Sequence, residues 1–451
     1  MLRRIVLEPG QRLTEADLAR SGGVDAEVVS VAARIVDDVR KRGDEALRDL
    51  TLQLDKVAID DFRVTEAEIA AAVAQCDPAF LDAIAVAAAA IEEFHERQVQ
   101  QSWFTAAEGG VFLGQKVTPI ARVGIYVPGG RAKYPSSVLM NAIPARVAGV
   151  GEIAMVVPPA ADGSVNPYTL AAAAEAGVTE IYKVGGAQAI AALAYGTATI
   201  PRVDKVTGPG NAYVTAAKKL VMGDVGIDML AGPSEVLVLA DETAEPAFVA
   251  IDLMAQAEHD PRAATYLVTT DPDLPDLVER ALELLLADSP RGDITKRSLV
   301  DNGVAILCPD IVAALDTVDL IAPEHLEVQC ADAFDLLGSI RNAGAIFLGH
   351  WTCESIGDYV AGPNHVLPTG GTARFSSPLS VDDFVKKSSV LSYSYDALEL
   401  DGPTVIEIAE KEGLWAHARA VSLRIEAIEA ERILADAEAS FSTDSDDMNG
   451  E

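Results

Sequence analysis

The stretch IAPEHLEV, Ile321 to Val328, sets a glutamate and a histidine side by side just after a proline, with apolar residues on both flanks. Charged groups in apolar company need a partner or a chemical role, because an unpaired charge away from water is costly. A histidine, with an ordinary pKa of about 6.5, can take and return a proton near neutrality. A carboxylate among apolar atoms has a raised pKa and becomes a competent base. Glu324 and His325 are the first candidates for proton chemistry.

The chain has 6 histidines. His95, in EEFHERQ, reads as a solvated residue on a charged helix face. His259 closes LMAQAEHD with Gln256 three residues earlier, a spacing that puts both side chains on one helix face. Two such groups could hold a metal ion, or could form a polar helix end capped by Asp260. The segment GHWTCESIGDYVAGPNHVLPTGG packs Glu354, Asp358, Asn364 and His365 among glycines and prolines. That is the makeup of an ordered functional loop, or of a turn-rich connection using Asp and Asn for local hydrogen bonds. His417 follows Glu412 by five residues in a helical pattern with an apolar stripe, where a satisfied core histidine is the commoner case.

Three glycine-rich turns follow strand-like runs: VPGGRAKYPSS, VGGAQAIA and TGPGNAYVTAAKK. Each lets backbone N–H groups point at an anion near a helix start. None is a full GxGxxG, because Tyr213 takes the third glycine position of the last. Each could equally be a tight strand–helix turn; three together make a nucleotide or phosphate ligand plausible.

The elements that must hold these residues alternate in type. VGIYVPGG, EIAMVVPP, EIYKVGG, DKVTGPG and EVLVLAD read as buried strands ending in turn residues, with helical segments between several of them. ATYLVTTD, GVAILCPD and AGAIFLGH form a second series. Such alternation implies parallel sheets with right-handed crossovers, and two series imply two doubly wound lobes in an α/β fold. The first 120 residues are rich in helical periodicity, and the chain turns helical again after Ser380. The expected organisation is an N-terminal arm (1–24) and a discontinuous first lobe (25–122 with 238–379) carrying the metal and catalytic residues. A second lobe (123–237) carries the three glycine-rich turns and with them the nucleotide, a helical tail (380–432) follows, and an acidic tail (433–451) is disordered.

Composition narrows the partners. With 69 acidic against 35 basic residues the net charge is −34, a field that repels nucleic acid and anionic lipid. An acidic surface with more arginine than lysine suits a salt-rich cytoplasm, where ions screen self-repulsion, and points to a halophilic, archaeal source. The 4 cysteines lie far apart without a CxxC, as reduced thiols of a cytosolic protein do. The start MLRRIVLEPGQR lacks the apolar run of a signal peptide, and the longest apolar run, AIAVAAAAI, falls well short of the ~20 residues of a membrane span.

Taken together these stretches resemble the histidinol dehydrogenase family. The likeness runs through GIYVPGGRAKYPSSVLMNAIPARVAGV, VGGAQAIAALAYGT, GPGNAYVTAAKK, AGPSEVLVLAD, QAEHD, APEHLE, GDYVAGPNHVLPTGGTARFSSPLSVDDF and EGLWAHARAVSLR, in that order, over nearly all of residues 25 to 425. Cys353 stands where the resemblance leads one to expect proline, and the acidic tail past Arg432 is no family feature. The resemblance implies that Gln256, His259, Asp358 and His417 match ligands of one zinc ion per subunit. It implies that Glu324 and His325 match the acid–base pair. Ser234, His365 and Glu412 match substrate contacts, joined by Gln256, His259, His325, Asp358 and His417. Tyr126, Gln188 and Asn211 match NAD⁺ contacts. It further implies two incomplete Rossmann-like lobes, an intertwined cytoplasmic homodimer with His417 supplied in cis or across the interface, and oxidation of L-histidinol through the aldehyde to L-histidine with reduction of two NAD⁺, the last step of histidine biosynthesis. Rival readings are a relative acting on another amino alcohol, a metal-dependent hydrolase, and a non-catalytic nucleotide-binding or assembly protein.

Overall fold

The computed structural model describes residues 1–18, 25–129 and 133–447. Part of the VPGGRAK turn and the ends of the expected arm and acidic tail therefore lie outside the described residues. Strands are numbered along the chain: β1 (Arg3–Val6), β2 (Trp103–Ala107), β3 (Val111–Pro119), β4 (Arg122–Tyr126), β5 (Glu152–Val157), β6 (Glu180–Lys183), β7 (Lys205–Thr207), β8 (Gly226–Ile227), β9 (Glu235–Ala240), β10 (Ala264–Thr269), β11 (Gly303–Leu307), β12 (His325–Gln329), β13 (Ala345–Leu348) and β14 (Val385–Ser392).

Two parallel sheets organise one unit of the chain, residues 1–99 with 119–385. The five-stranded sheet has the order β6-β5-β4-β7-β8 and the six-stranded one β1-β11-β10-β9-β12-β13. Neighbouring strands in both run parallel, for example with Tyr126 opposite Val156 and His325 opposite Val236. Strands of such sheets are covered on both faces and read as apolar runs; every residue of β9, EVLVLA, is buried. In each sheet the strand order reverses once, between β4 and β7 and between β9 and β12. Ligands of doubly wound sheets collect at such switch points.

The N-terminal helices pack differently from the expected grouping. Ala32, Val36 and Val39 of Ala26–Arg42 join Ile190, Val214 and Ala217 in one core on the five-stranded sheet. Ile84, Ala88 and Ile91 of Pro78–Glu96 join Leu139, Ile143 and Leu170 on its other side. Residues 26–96 thus clothe both faces of the five-stranded sheet, with Val366 and Leu379 joining the second of these cores. The boundary expected at 237/238 also falls inside β9, and β1 of the expected arm is a sheet strand, registered against β11 from Arg3–Val304 to Val6–Leu307. An amphipathic stripe announces that a face is buried; it does not say against which sheet.

The second unit comprises residues 100–118 and 386–451. It holds a small sheet of order β14-β3-β2, so strands stand where helix was expected before residue 120 and just after Ser380. Phe104 and Phe112 stack across its antiparallel pair with ring centres 5.4 Å apart. Helices Tyr395–Lys411 and Trp415–Asp447 lie against each other where Gly402 admits Val421 and Ile425. Arg432 ties them through Asp396 and Glu399. The second helix runs to Asp447, so the described part of the acidic tail is helical instead of disordered. Its ERILADAEA stretch is rich in good helix formers. Among the described residues no single helix is long and apolar enough to cross a membrane.

Candidate active site

Helix Ile311–Ile321 ends on Ala322 in the left-handed conformation, at φ 47° and ψ 60°. A non-glycine residue there, directly before a proline, is under strain of the kind found at functional sites. The bend delivers Glu324 and His325 to the amino end of β12, where both are buried. Gly344 lets β13 start against the Glu324 carbonyl, which accepts Ala345 N–H at 2.9 Å; a Cβ on Gly344 would sit 2.5 Å from that oxygen.

The start of β9 grips both side chains. Glu235 N–H donates to Glu324 Oε2 at 2.9 Å, and the Glu235 carbonyl lies 3.2 Å from His325 Nδ1. A carbonyl only accepts, so Nδ1 carries a proton and Nε2 is the nitrogen that faces Asp358. Nε2 is buried without a hydrogen-bond partner and faces Asp358 Oδ1 at 3.6 Å. Burial pushes the Glu324 carboxyl up to about 8 against the pull of His325. For His325 burial acts downward, but the carboxylates of Glu354, Glu324 and Asp358 outweigh it and carry the ring up to about 10.

Asp358 and Glu354 share a face of helix Glu354–Tyr359. Ligand atoms of His259, Glu354 and Asp358 all lie within 4.8 Å of one another, a spacing that suits a cation. Gln256, one turn before His259 at the end of Pro246–Ala257, is buried with its Oε1 unpartnered. A buried carbonyl oxygen without a donor is what a cation would satisfy. His259 is exposed, which leaves this cluster open on one side. His365 Nδ1 is held 3.0 Å from the Asp358 carbonyl and its Nε2 lies 3.5 Å from Ser137 Oγ. Burial lowers its pKa against the pull of Asp358. Ser234 is half-buried immediately before β9. A cavity of about 490 Å³ is lined by His325, Phe347, Asp358 and His365.

The expected nucleotide residues collect at the carboxyl ends of the five-stranded sheet. Tyr126 ends β4 and is buried, its hydroxyl accepting Gly186 N–H at 3.1 Å; burial pushes its pKa up to about 12. Gln188 is buried on helix Gly186–Tyr195 with Oε1 unpartnered. Asn211 caps helix Ala212–Val221 by accepting Tyr213 and Val214 N–H. Gly208 between them has φ 110°, and a Cβ there would run into the Tyr126 carbonyl. The Lys218–Asp228 ion pair, its side chains buried, clamps this turn, Lys218 donating to Gly208 O at 3.0 Å and Asp228 accepting Gly208 N–H at 2.8 Å. Tyr126 is thus tied to the start of the Gln188 helix through Gly186 and lies against the Gly208 turn that precedes Asn211.

Glu412 and His417 lie in the second unit, both exposed, Glu412 closing Tyr395–Lys411 and His417 in the first turn of the final helix. The structure adds buried acids to which the sequence assigned no role, among them Glu354, Glu327 and Asp252. Only Glu354 had a signal, its i, i+4 spacing to Asp358. His95, expected on a solvated face, is buried between Ile91 O, 2.7 Å from its Nδ1, and Asn364. It continues the stripe Ile84, Ala88, Ile91, which its charged neighbours mask.

Comparison with known proteins sharpens this picture. The histidinol dehydrogenase family model matches residues 18–425. The chain is 53% identical over 413 residues to a histidinol dehydrogenase of Geobacter metallireducens, covering 91% of this chain and 94% of that one. It is 55% identical over 392 residues to that of Geobacillus kaustophilus, with 87% and 92% covered. The crystal structure of a histidinol dehydrogenase from Elizabethkingia anophelis superposes with a TM-score of 0.88 at 38% identity, covering 95% of this chain and 99% of that one. These relatives are bacterial, and the expectation of an archaeal source is not borne out.

Proposed function

The chain belongs to the histidinol dehydrogenase family, and from that premise we propose that it oxidises L-histidinol through L-histidinaldehyde to L-histidine with NAD⁺ as hydride acceptor and one divalent cation, zinc, per subunit. The observation that carries the reading is His325 Nε2, buried, unpartnered and open to the cavity beside Asp358. Taking hydride from an alcohol requires a base for the hydroxyl proton, and Nε2 is placed to be that base. The second oxidation requires the aldehyde to be hydrated, and Glu324, on the same bend, accepts the water's proton. The residues that would hold the cation are Gln256, His259 and Asp358, with Glu354 in reach and His417 completing the set. The cation would supply a grip on the amine and imidazole of the substrate, fixing the reacting carbon.

The raised pKa of His325 fits this reading in an instructive way. A ring at about 10 is protonated at neutral pH and cannot serve as a base. The charges that raise it include Asp358 and Glu354, two members of the metal cluster. Positive charge bound there offsets those carboxylates and draws His325 back toward neutrality. The reading therefore couples cation binding to the readiness of the base.

Tyr126, Gln188 and Asn211 would contact NAD⁺ at the switch point, with Ser234, His365 and Glu412 toward the substrate. The open side of the cluster at His259 supports completion of the site by His417 of a partner chain in an intertwined homodimer, located in the cytoplasm. Steady-state reduction of NAD⁺ with histidinol and with amino alcohols lacking an imidazole tests the reading. Histidinol should be turned over with much the highest kcat/KM; a better substrate without the ring would defeat the assignment.

A further inference from the structure

Beneath the proton-transfer pair lies a second group of acids that no step of the proposed reaction uses. Glu327, two residues past His325 on β12, is completely buried, and Asp252 and Gln329 nearly so. The Glu327 and Asp252 carboxyls lie together in the interior, where burial and the charge of Asp252 push Glu327 up to about 9, so the pair retains a proton. Gln329 Nε2 donates to both, at 2.8 Å to Asp252 Oδ2 and 2.9 Å to Glu327 Oε2. The other Glu327 oxygen accepts Glu354 N–H at 2.8 Å. Glu354 opens the helix that carries Asp358, and the N-cap residue Cys353 offers that helix no side-chain cap. A carboxyl from β12 takes the cap's place. Asp252, for its part, lies one turn before Gln256 on Pro246–Ala257. One acid pair thus joins the strand of His325, the helix of Gln256 and the helix of Asp358.

We propose that the Glu327–Asp252 pair, bridged by Gln329, is a positioning device that sets the spacing between the Gln256–His259 helix end and the Asp358 helix, and so the affinity of the site for a divalent cation. This rests on the reading of those residues as a cation site. Packing alone does not require two buried acids, since apolar residues of similar volume fill such a space with equal or better stability. Apolar residues cannot cap the Glu354 helix or join it to Pro246–Ala257 by hydrogen bonds. Groups that orient metal ligands typically govern affinity by about 10–100-fold.

The test strips the full-length protein of metal and titrates zinc against a chromophoric chelator, with the visible spectrum of the cobalt-loaded protein recorded alongside. Glu327→Leu should weaken binding by about 10–100-fold, alter the cobalt bands, and lower kcat while leaving KM for NAD⁺ in place. Glu327→Gln retains an acceptor for Glu354 N–H and a donor toward Asp252, and Gln329 can turn its amide to present its unpartnered Oε1. That variant should recover most of the affinity and the spectrum. The double variant Asp252→Leu with Glu327→Leu leaves no lone buried acid and keeps the test readable if the single variant fails to fold. Folded leucine variants with wild-type affinity and cobalt bands would overturn the inference alone. Wild-type protein that binds neither ion would overturn the cation reading and this inference with it.

Discussion

Replacing Glu324 by glutamine removes a proton acceptor and leaves its surroundings nearly intact. The amide oxygen can still accept Glu235 N–H, which the carboxylate holds at 2.9 Å, and the volume is nearly unchanged. What is lost is the base for the water that hydrates the aldehyde, worth roughly 10²–10⁴ in rate, or about 3–5 kcal/mol of barrier. The first oxidation should respond in another way. Glu324 is one of the carboxylates that raise His325, so its removal lowers the pKa of the ring and moves the acid limb of histidinol-to-aldehyde turnover to lower pH. Single-turnover kinetics with histidinol and, separately, with the aldehyde divide the two steps. Glu324→Gln should release one hydride promptly and the second slowly, whereas wild-type protein delivers both. Aldehyde oxidation at the normal rate in Glu324→Gln would refute the assignment.

Further outcomes follow from the same geometry. Mixing inactive His417→Ala with inactive His259→Ala protein should rebuild one intact site per heterodimer and recover part of the activity; no recovery on remixing would place His417 in its own subunit's site. With −34 charges per chain, thermal stability and dimer content should fall as salt drops from molar to about a tenth molar, where the screening length grows from roughly 3 to 10 Å; melting unchanged across that range would defeat the idea. Burial lowers the pKa of His95 below its usual 6.5, so the unfolded chain binds a proton that the folded one refuses. The stability is complete above pH 6.5 and is lost as pH falls below it, by up to about 1.4 kcal/mol per pH unit relative to His95→Gln, and equal pH slopes for the two proteins in denaturant titrations would contradict this.

Both parallel sheets were legible because buried strands such as EVLVLA carry their own pattern of apolar, β-branched residues closed by turn residues. Glu324 and His325 were legible because charge in an apolar run is conspicuous at the level of sequence. What stayed hidden depends on distance in space. Glu327 and Asp252 are 75 residues apart and meet only because the fold brings β12 within reach of Pro246–Ala257, where Gln329 bridges the two acids. The stripe on Ala26–Arg42 was visible, but its destination on the five-stranded sheet was not, since any complementary apolar layer would satisfy it. His95 was misread because Glu92, Glu93 and Glu96 surround it in sequence while the helical period turns it inward. The strands of the small sheet were hidden for a related reason: β2 is exposed along its whole length, so no buried alternation marks it.

The number of NAD⁺ molecules reduced per histidinol consumed, with the product identified as histidine, tests the central claim most directly. A base at His325 and a second at Glu324 on one bend predict two reduced cofactors per substrate and no release of free aldehyde. One reduced cofactor with aldehyde accumulating, or histidinol consumed with no cofactor reduced, would contradict the account.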